Sequence, residues 1–203
     1  MTLITIEGID GAGKSTLAAA LAGRLPHAVL LREPGGVALA ERVREVVKDP
    51  SLRVGARAEA LLYAAARAQL VEEAVRPALE RGETVLVDRF IDSSLAYQGV
   101  GRGLGVDAVR AINDFGAGGL VPDRTLLVRL DPAVARARAG GRGEAPDRLE
   151  AEGDAFFAAI ARAYDELAAA ERERFVVLDG TRSPEALVED ALRALGPLAG
   201  RGH

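Results

Sequence analysis

Five short runs rich in Val, Leu and Ile punctuate the chain: Leu3–Glu7, Ala28–Arg32, Thr84–Asp88, Thr125–Asp131 and Phe175–Asp179. Their apolar side chains fall on consecutive positions, the pattern of strands buried on both faces. Most of the runs close on a charged residue, where the chain would leave a sheet. Between them, apolar positions recur at helical spacing over Lys14–Leu25, Ala38–Val47, Ala56–Arg81, Val106–Phe115, Ala133–Arg138, Asp154–Ala170 and Pro184–Leu195. In Asp154–Ala170 the residues Phe156, Phe157, Ile160, Tyr164 and Leu167 form one stripe, and Arg162, Asp165 and Glu166 take the other face. Strands alternating with helices predict an α/β fold, a parallel sheet with helices on both sides. Ligands in such a fold bind at the carboxyl ends of the strands, where Glu7, Arg32, Asp88 and Asp131 stand.

Composition narrows the partners. A length of 203 residues suits a single domain, here 1–203, with at most a small mobile insert. Hydrophobic residues make up 49% and charged residues 28%, an ordinary globular balance. The net charge of -4 lacks the basic footprint of a duplex nucleic-acid binder, so an anion site must be local. Without cysteine there are no disulfides, thiolate zinc clusters or cysteine nucleophiles, and two His exclude a histidine-rich metal site. No stretch of ~18 apolar residues lacks a charge, and the start of the chain carries no leader pattern. No membrane and no nucleic-acid partner is expected, and the cytoplasm is the expected location. Only Lys14 and Lys48 are lysines among the 26 basic residues, which makes each of them informative.

The first run leads into Gly8-Ile9-Asp10-Gly11-Ala12-Gly13-Lys14-Ser15, followed by Thr16 and a helix. This fits G-x-x-x-x-G-K-[ST] in the strand–loop–helix context the motif requires. Gly8, Gly11 and Gly13 let successive N–H groups, with that of Ala12, turn inward around a phosphate at the helix N-terminus. Lys14 should reach the β and γ phosphates of a nucleotide, and the Ser15 hydroxyl should sit on Mg2+. A GTPase would also need N-K-x-D, but the single Asn, Asn113, is followed by Asp114 and Phe115. A motor ATPase usually closes its second core strand with a carboxylate pair, whereas here Asp88-Arg89 sets a metal-shell carboxylate beside a cation suited to a second phosphate.

Four motifs in order then carry a family resemblance: Gly8 to Thr16; Arg32-Glu33-Pro34-Gly35-Gly36; Asp88-Arg89-Phe90-Ile91-Asp92-Ser93-Ser94-Leu95-Ala96-Tyr97-Gln98-Gly99; and Asp147-Arg148-Leu149-Glu150. Spread over nearly the whole chain, they resemble those of the thymidylate kinases, and the third is the most specific. The resemblance implies a P-loop NTPase three-layer sandwich on a five-stranded parallel core with a mobile lid. It also implies phosphoryl transfer from ATP to dTMP, with Mg2+, usually by a homodimer. A kinase of another deoxynucleoside monophosphate and a nucleotide-binding module without catalysis are the competing readings.

Site roles follow position by position. Asp10, a carboxylate inside a phosphate loop, faces the acceptor sugar in the family, and on the residues alone could instead cap a turn. Asp88 beside Ser15 reads as an outer Mg2+ ligand. Arg89 would clamp the acceptor phosphate, or else pair with Asp88 or Asp92. Arg32 with the Pro34-Gly35-Gly36 turn shapes the loop under the acceptor, although Val37 stands where the family often has Thr. Tyr63 and Arg67, four apart on a helix, could hold a pyrimidine by stacking and by donation to a base carbonyl, or pack on each other on a solvated face. Tyr97 and Gln98 resemble the positions that crowd the sugar and meet the base; Tyr97 could also be core, and Ser94 and Ser93 are small polar candidates for the base edge.

Arg136, Arg138, Arg142 and Arg148 populate a Gly- and Ala-rich stretch expected to form a flexible basic lid over about 136–150. Gly11 stands where one branch of the family has Arg, which leaves the catalytic cation to the lid. Arg142 is the expected catalytic cation, with Arg138 and Arg148 as donor contacts and as substitutes for it. Arg129, inside the Thr125–Asp131 run, has no role in this reading.

Overall fold

The computed structural model describes residues 2–140 and 147–196. Its sheet has five parallel strands, β1 (Thr2–Glu7), β2 (Ala28–Arg32), β3 (Thr84–Asp88), β4 (Arg124–Arg129) and β5 (Phe175–Asp179), in the order β2-β3-β1-β4-β5. All six residues of β1 are buried, and since successive side chains point to opposite faces, both faces of the sheet centre are covered. Ile4, Ile6, Val85, Leu86, Leu126 and Val128 fill the core on the central strands. β2 and β5 correct the expectation of burial on both faces. They form the two sheet edges, and Leu30 and Val177 stand open to solvent.

The helices are α1 (Lys14–Ala22), α2 (Ala38–Lys48), α3 (Ala56–Leu70), α4 (Arg76–Glu80), α5 (Ile91–Ser94), α6 (Val106–Gly116), α7 (Pro132–Gly140), α8 (Asp154–Ala170) and α9 (Pro184–Leu195). The expected single helix over Ala56–Arg81 is broken by a π-helical turn at Val71–Val75. Pro77 explains the interruption: it has no N–H to give the carbonyl four residues back, and its ring crowds that carbonyl. A second π-helical turn, Leu95–Gly101, continues α5 where no helix was expected, and it carries Tyr97 and Gln98. Such wide turns recur at functional sites because they re-aim side chains.

β1 neighbours β3 on one side and β4 on the other, so the connections leaving this sheet centre diverge at its carboxyl end. That divergence opens the crevice in which ligands bind. The P-loop starts there, immediately after Glu7. Arg129 ends β4 rather than lying within it, and its side chain leaves the sheet to pair with Asp165 at 2.9 Å.

Candidate active site

Close backbone packing explains the glycines of the loop. A Cβ on Gly8 would stand 2.5 Å from the Val128 carbonyl oxygen, and one on Gly11 would stand 2.1 Å from that of Ala135 in α7. Gly11 also has φ +81°, a conformation L side chains rarely adopt. No side chain caps α1, so its N-terminal N–H groups stay available to an anion. Lys14 is buried and donates to the Ile9 carbonyl at 2.8 Å, back across the loop. Burial, then Arg89, push its ammonium down to about 8 against the pull of Asp10 and Asp88, so an incoming phosphate would relieve a cation that lacks solvent.

Ser15 Oγ donates to Asp88 Oδ2, while Asp88 Oδ1 is buried without a partner among the described residues. One hydroxyl and one carboxylate oxygen fit Mg2+, which completes its shell with phosphate and water oxygens rather than a protein cage. Among the described residues no cluster of three acidic or His side chains competes for a metal. Thr16 and Leu17 of α1, Arg138 of α7, Gly180 and Arg182 after β5, and Val188 of α9 line a neighbouring cavity of about 710 Å3. Arg138 spans it, donating to the Gly180 carbonyl at 3.0 Å. Gly180 and Arg182 were not foreseen as site residues; the only signal was a strand ending in Asp179-Gly180 at the ligand-binding edge.

Across Lys14 lies a second group. Arg89 holds a left-handed backbone, φ 70°, which costs about 1–3 kcal/mol in a non-glycine residue and marks a position fixed by its surroundings. Its guanidinium donates to Asp10 Oδ1 at 2.6 Å, Ser93 Oγ at 3.0 Å, and the Tyr97 hydroxyl and Gly8 carbonyl at 3.2 Å. The Tyr97 hydroxyl donates to Asp10 Oδ2 at 2.7 Å. Burial opposes the charge on Asp10, but Arg89, then Lys14, then the Tyr97 hydroxyl hold its carboxyl well below the usual range. Arg89 therefore pairs with Asp10, not with Asp88 or Asp92; Asp92 is instead held by Arg174 at 2.7 Å. Buried Glu7 at the end of β1 accepts from Phe90 N, Ser93 Oγ and the Tyr164 hydroxyl, fixing the start of α5.

Of the expected acceptor set, Asp10, Tyr63, Arg67, Arg89, Ser94, Tyr97 and Gln98 line one cavity and Arg32 does not. Tyr63 lies on its wall. Arg67, however, is not on a solvated face: it is 1% exposed and makes four hydrogen bonds and an ion pair. Nε donates to Glu33 Oε2 at 2.8 Å, and the terminal nitrogens reach Glu33, Ser94 Oγ at 3.2 Å, Asn113 Oδ1 and the Phe90 carbonyl. A base carbonyl would have to share one of these donors, and the long Ser94 bond is the weakest competitor. Burial pushes Glu33 up to about 7 despite Arg67, and its Oε1 is buried without a partner among the described residues.

Arg32 lines the P-loop cavity but grips Glu41 at 2.7 and 2.9 Å, and Glu41 also accepts from Gly36 N. Arg44 and Lys48 of α2, missed by sequence reasoning, line both the P-loop and the acceptor cavities. The lid expectation needs correction at both ends. Arg136 and Arg138 belong to helix α7 rather than to a loop, and Arg136 pairs with Asp154. Arg148 turns away from the donor side, donating to the Val47 carbonyl at 2.9 Å and to Glu59 Oε2 at 2.5 Å. A backbone carbonyl of α2 and a buried carboxylate of α3 outcompete the open cavity for it. Arg142 lies outside the described residues.

The glycine-rich loop with Lys14 and the Arg89–Asp10 pair thus adjoin along one crevice, in keeping with a nucleoside monophosphate kinase. A family model described as thymidylate kinase matches residues 6–191. Thymidylate kinases of Deinococcus radiodurans and Pseudomonas putida strain GB-1 are 51% and 49% identical, covering 98% and 92% of this chain and 97% and 91% of theirs. A crystal structure of thymidylate kinase from Ehrlichia chaffeensis superposes with a TM-score of 0.76 at 27% identity, covering 96% of this chain and 98% of that one. The chain belongs to the thymidylate kinase family, and its reaction is the phosphorylation of dTMP to dTDP with ATP.

Proposed function

We propose that the chain acts as a single catalytic unit, 1–203, that joins ATP and dTMP along one crevice. What carries this reading is that the donor and acceptor cavities share Asp10 and Arg89 in their walls. The P-loop from Gly8 to Thr16, with Lys14, holds the donor phosphates, and Arg138 lies over the donor side. Arg89 binds the acceptor phosphate after leaving Asp10, whose freed carboxylate then meets the sugar hydroxyl. Tyr63, Arg67, Ser94 and Gln98 face the base, with Tyr97 against the sugar. An acceptor phosphate oxygen bonds to the γ-phosphorus as the bond to the bridging oxygen breaks, and ADP leaves with that electron pair. No general base is required, because the attacking oxygen is already ionised.

Ser15 and Asp88 would hold Mg2+, which when bound offsets the charge of the donor phosphates. Arg142 supplies the cation between the transferring and leaving oxygens. Exposed Leu61 on α3 and Phe115 on α6, helices that meet where Gly116 packs on Ala64, support a homodimer through this face. No helix among the described residues is long and apolar enough to cross a membrane. The test is ADP release from ATP and Mg2+ with dTMP, dUMP or dCMP as acceptor. dTMP should give the highest kcat/KM, and a chelator should stop turnover. Equal rates with dCMP would refute the base assignment.

A further inference from the structure

Glu59 is 0% exposed, lies in the first turn of α3 and does not line the acceptor cavity. Its carboxylate gathers three side chains: Gln98 Nε2 donates to Oε1 at 2.8 Å, Arg102 to both oxygens at 3.2 Å, and Arg148 to Oε2 at 2.5 Å. Burial works against its charge, but Arg102, Gln98 and Arg148 together hold the carboxyl below the ordinary Glu range, so it is an acceptor with no proton to give. Only the NH2 end of the Gln98 amide can face such a group. The Gln98 carbonyl oxygen then turns away from Glu59, and Gln98 lines the acceptor cavity. No donor among the described residues meets that oxygen, and Gln98, 2% exposed within the π-helical turn, has little room to swing.

We propose that Glu59 is a specificity-determining positioning residue: by fixing the Gln98 amide it presents an acceptor to the base, and so selects pyrimidines that carry a ring N–H. This rests on Gln98 meeting the acceptor base, as proposed above. Thymine and uracil offer N3–H to an oxygen, whereas cytosine offers a lone pair at N3 and would face acceptor with acceptor. Arg67 has donors only, so it cannot present an acceptor to a ring N–H. A mismatched buried polar pair changes kcat/KM on the order of ten- to a hundredfold.

The test compares dTMP, dUMP and dCMP as acceptors in three variants. Glu59→Gln lets Gln98 turn its NH2 to the cavity, so the dTMP over dCMP ratio of kcat/KM should fall about tenfold or more. The dTMP over dUMP ratio should stay within about twofold, since both bases carry N3–H. Glu59→Asp guards against failure to fold: Arg102 and Arg148 can follow the shortened carboxylate on long stems, Gln98 cannot, and the dTMP over dCMP ratio should fall again. Gln98→Leu separates the two premises. Full retention of the ratio in Gln98→Leu sinks the underlying base contact. Loss in Gln98→Leu with retention in Glu59→Gln or Glu59→Asp overturns the role of Glu59 and leaves it a structural anchor. A parallel fall in the dUMP ratio would also overturn the proposal, because it signals general disorder of the site.

Discussion

Replacing Arg67 by Met should reveal how much of the acceptor wall is held by one buried ion pair. Arg67 and Glu33 are 1% and 5% exposed, and the pair is completed by Ser94, Asn113 and the Phe90 carbonyl. Removing the cation leaves a buried carboxylate with no counter-charge, which costs about 3–5 kcal/mol. For a chain of this length that lowers Tm by about 6–20 °C. The loss must depend on pH, because Glu33 already sits at about 7 against an ordinary 4.5. A carboxyl raised on folding adds stability that is complete below about 4.5 and is lost as pH climbs through about 7. In the wild type this gap is worth at most roughly 3 kcal/mol. In Arg67→Met the carboxyl rises further, so the destabilisation should be small near pH 5 and largest near pH 8. Thermal unfolding of the wild type, Arg67→Met, Glu33→Gln and the double variant at both pH values measures this. The double variant should recover more than half of the loss at pH 8. A drop under about 2 °C in Arg67→Met, or a drop independent of pH and of Glu33, would refute the argument and free Arg67 to act mainly on the base.

Lys14→Ala should keep or slightly raise Tm, since it removes a buried cation, while kcat falls more than tenfold; near-normal turnover would remove Lys14 from the donor site. Gly11→Ala forces a Cβ to 2.1 Å from the Ala135 carbonyl at positive φ, so Tm should fall and the KM for ATP should rise as α7 shifts; an unchanged Tm would show that α7 yields freely. Phe115→Glu with Leu61→Glu should convert a dimer to a monomer in sedimentation, because Phe115 is 91% and Leu61 57% exposed; an unchanged mass would place any interface elsewhere.

The strands were legible because a run of consecutive apolar residues is a local property of the chain. Ala28–Arg32, Thr84–Asp88 and Phe175–Asp179 carry the same bounds in sequence and structure. Which of them are edges was not legible, since edge and centre differ in neighbours rather than in composition. The π-helical turn at Leu95–Gly101 escaped detection because Gly99 and Gly101 argue against helix, yet Tyr97 and Gln98 owe their aim to it. Lys14, Ser15 and Asp88 could be named because a backbone motif fixes them. Arg67 could only be half understood and Glu59 was missed, for a charged residue reveals its burial only through partners such as Glu33, Asn113, Gln98 and Arg148, which lie far along the chain.

Those partners also resolve the contrast between an acid excess and a site that must take several phosphate charges. Cations at the crevice are stored on carboxylates or carbonyls: Arg89 on Asp10, Arg32 on Glu41, Lys48 on Asp147, Lys14 on the Ile9 carbonyl. Each is held by a bond that a phosphate oxygen can replace, so the crevice need not carry bare positive charge before its nucleotides arrive. The cost is small where the pair is solvated, as for Arg32 with Glu41, and larger where it is shielded, as for Arg89 with Asp10. Exchange at Arg89 therefore weighs most, and in the proposed roles it is also the exchange that frees Asp10 for the acceptor. One displacement would then couple the arrival of the acceptor phosphate to the positioning of its sugar.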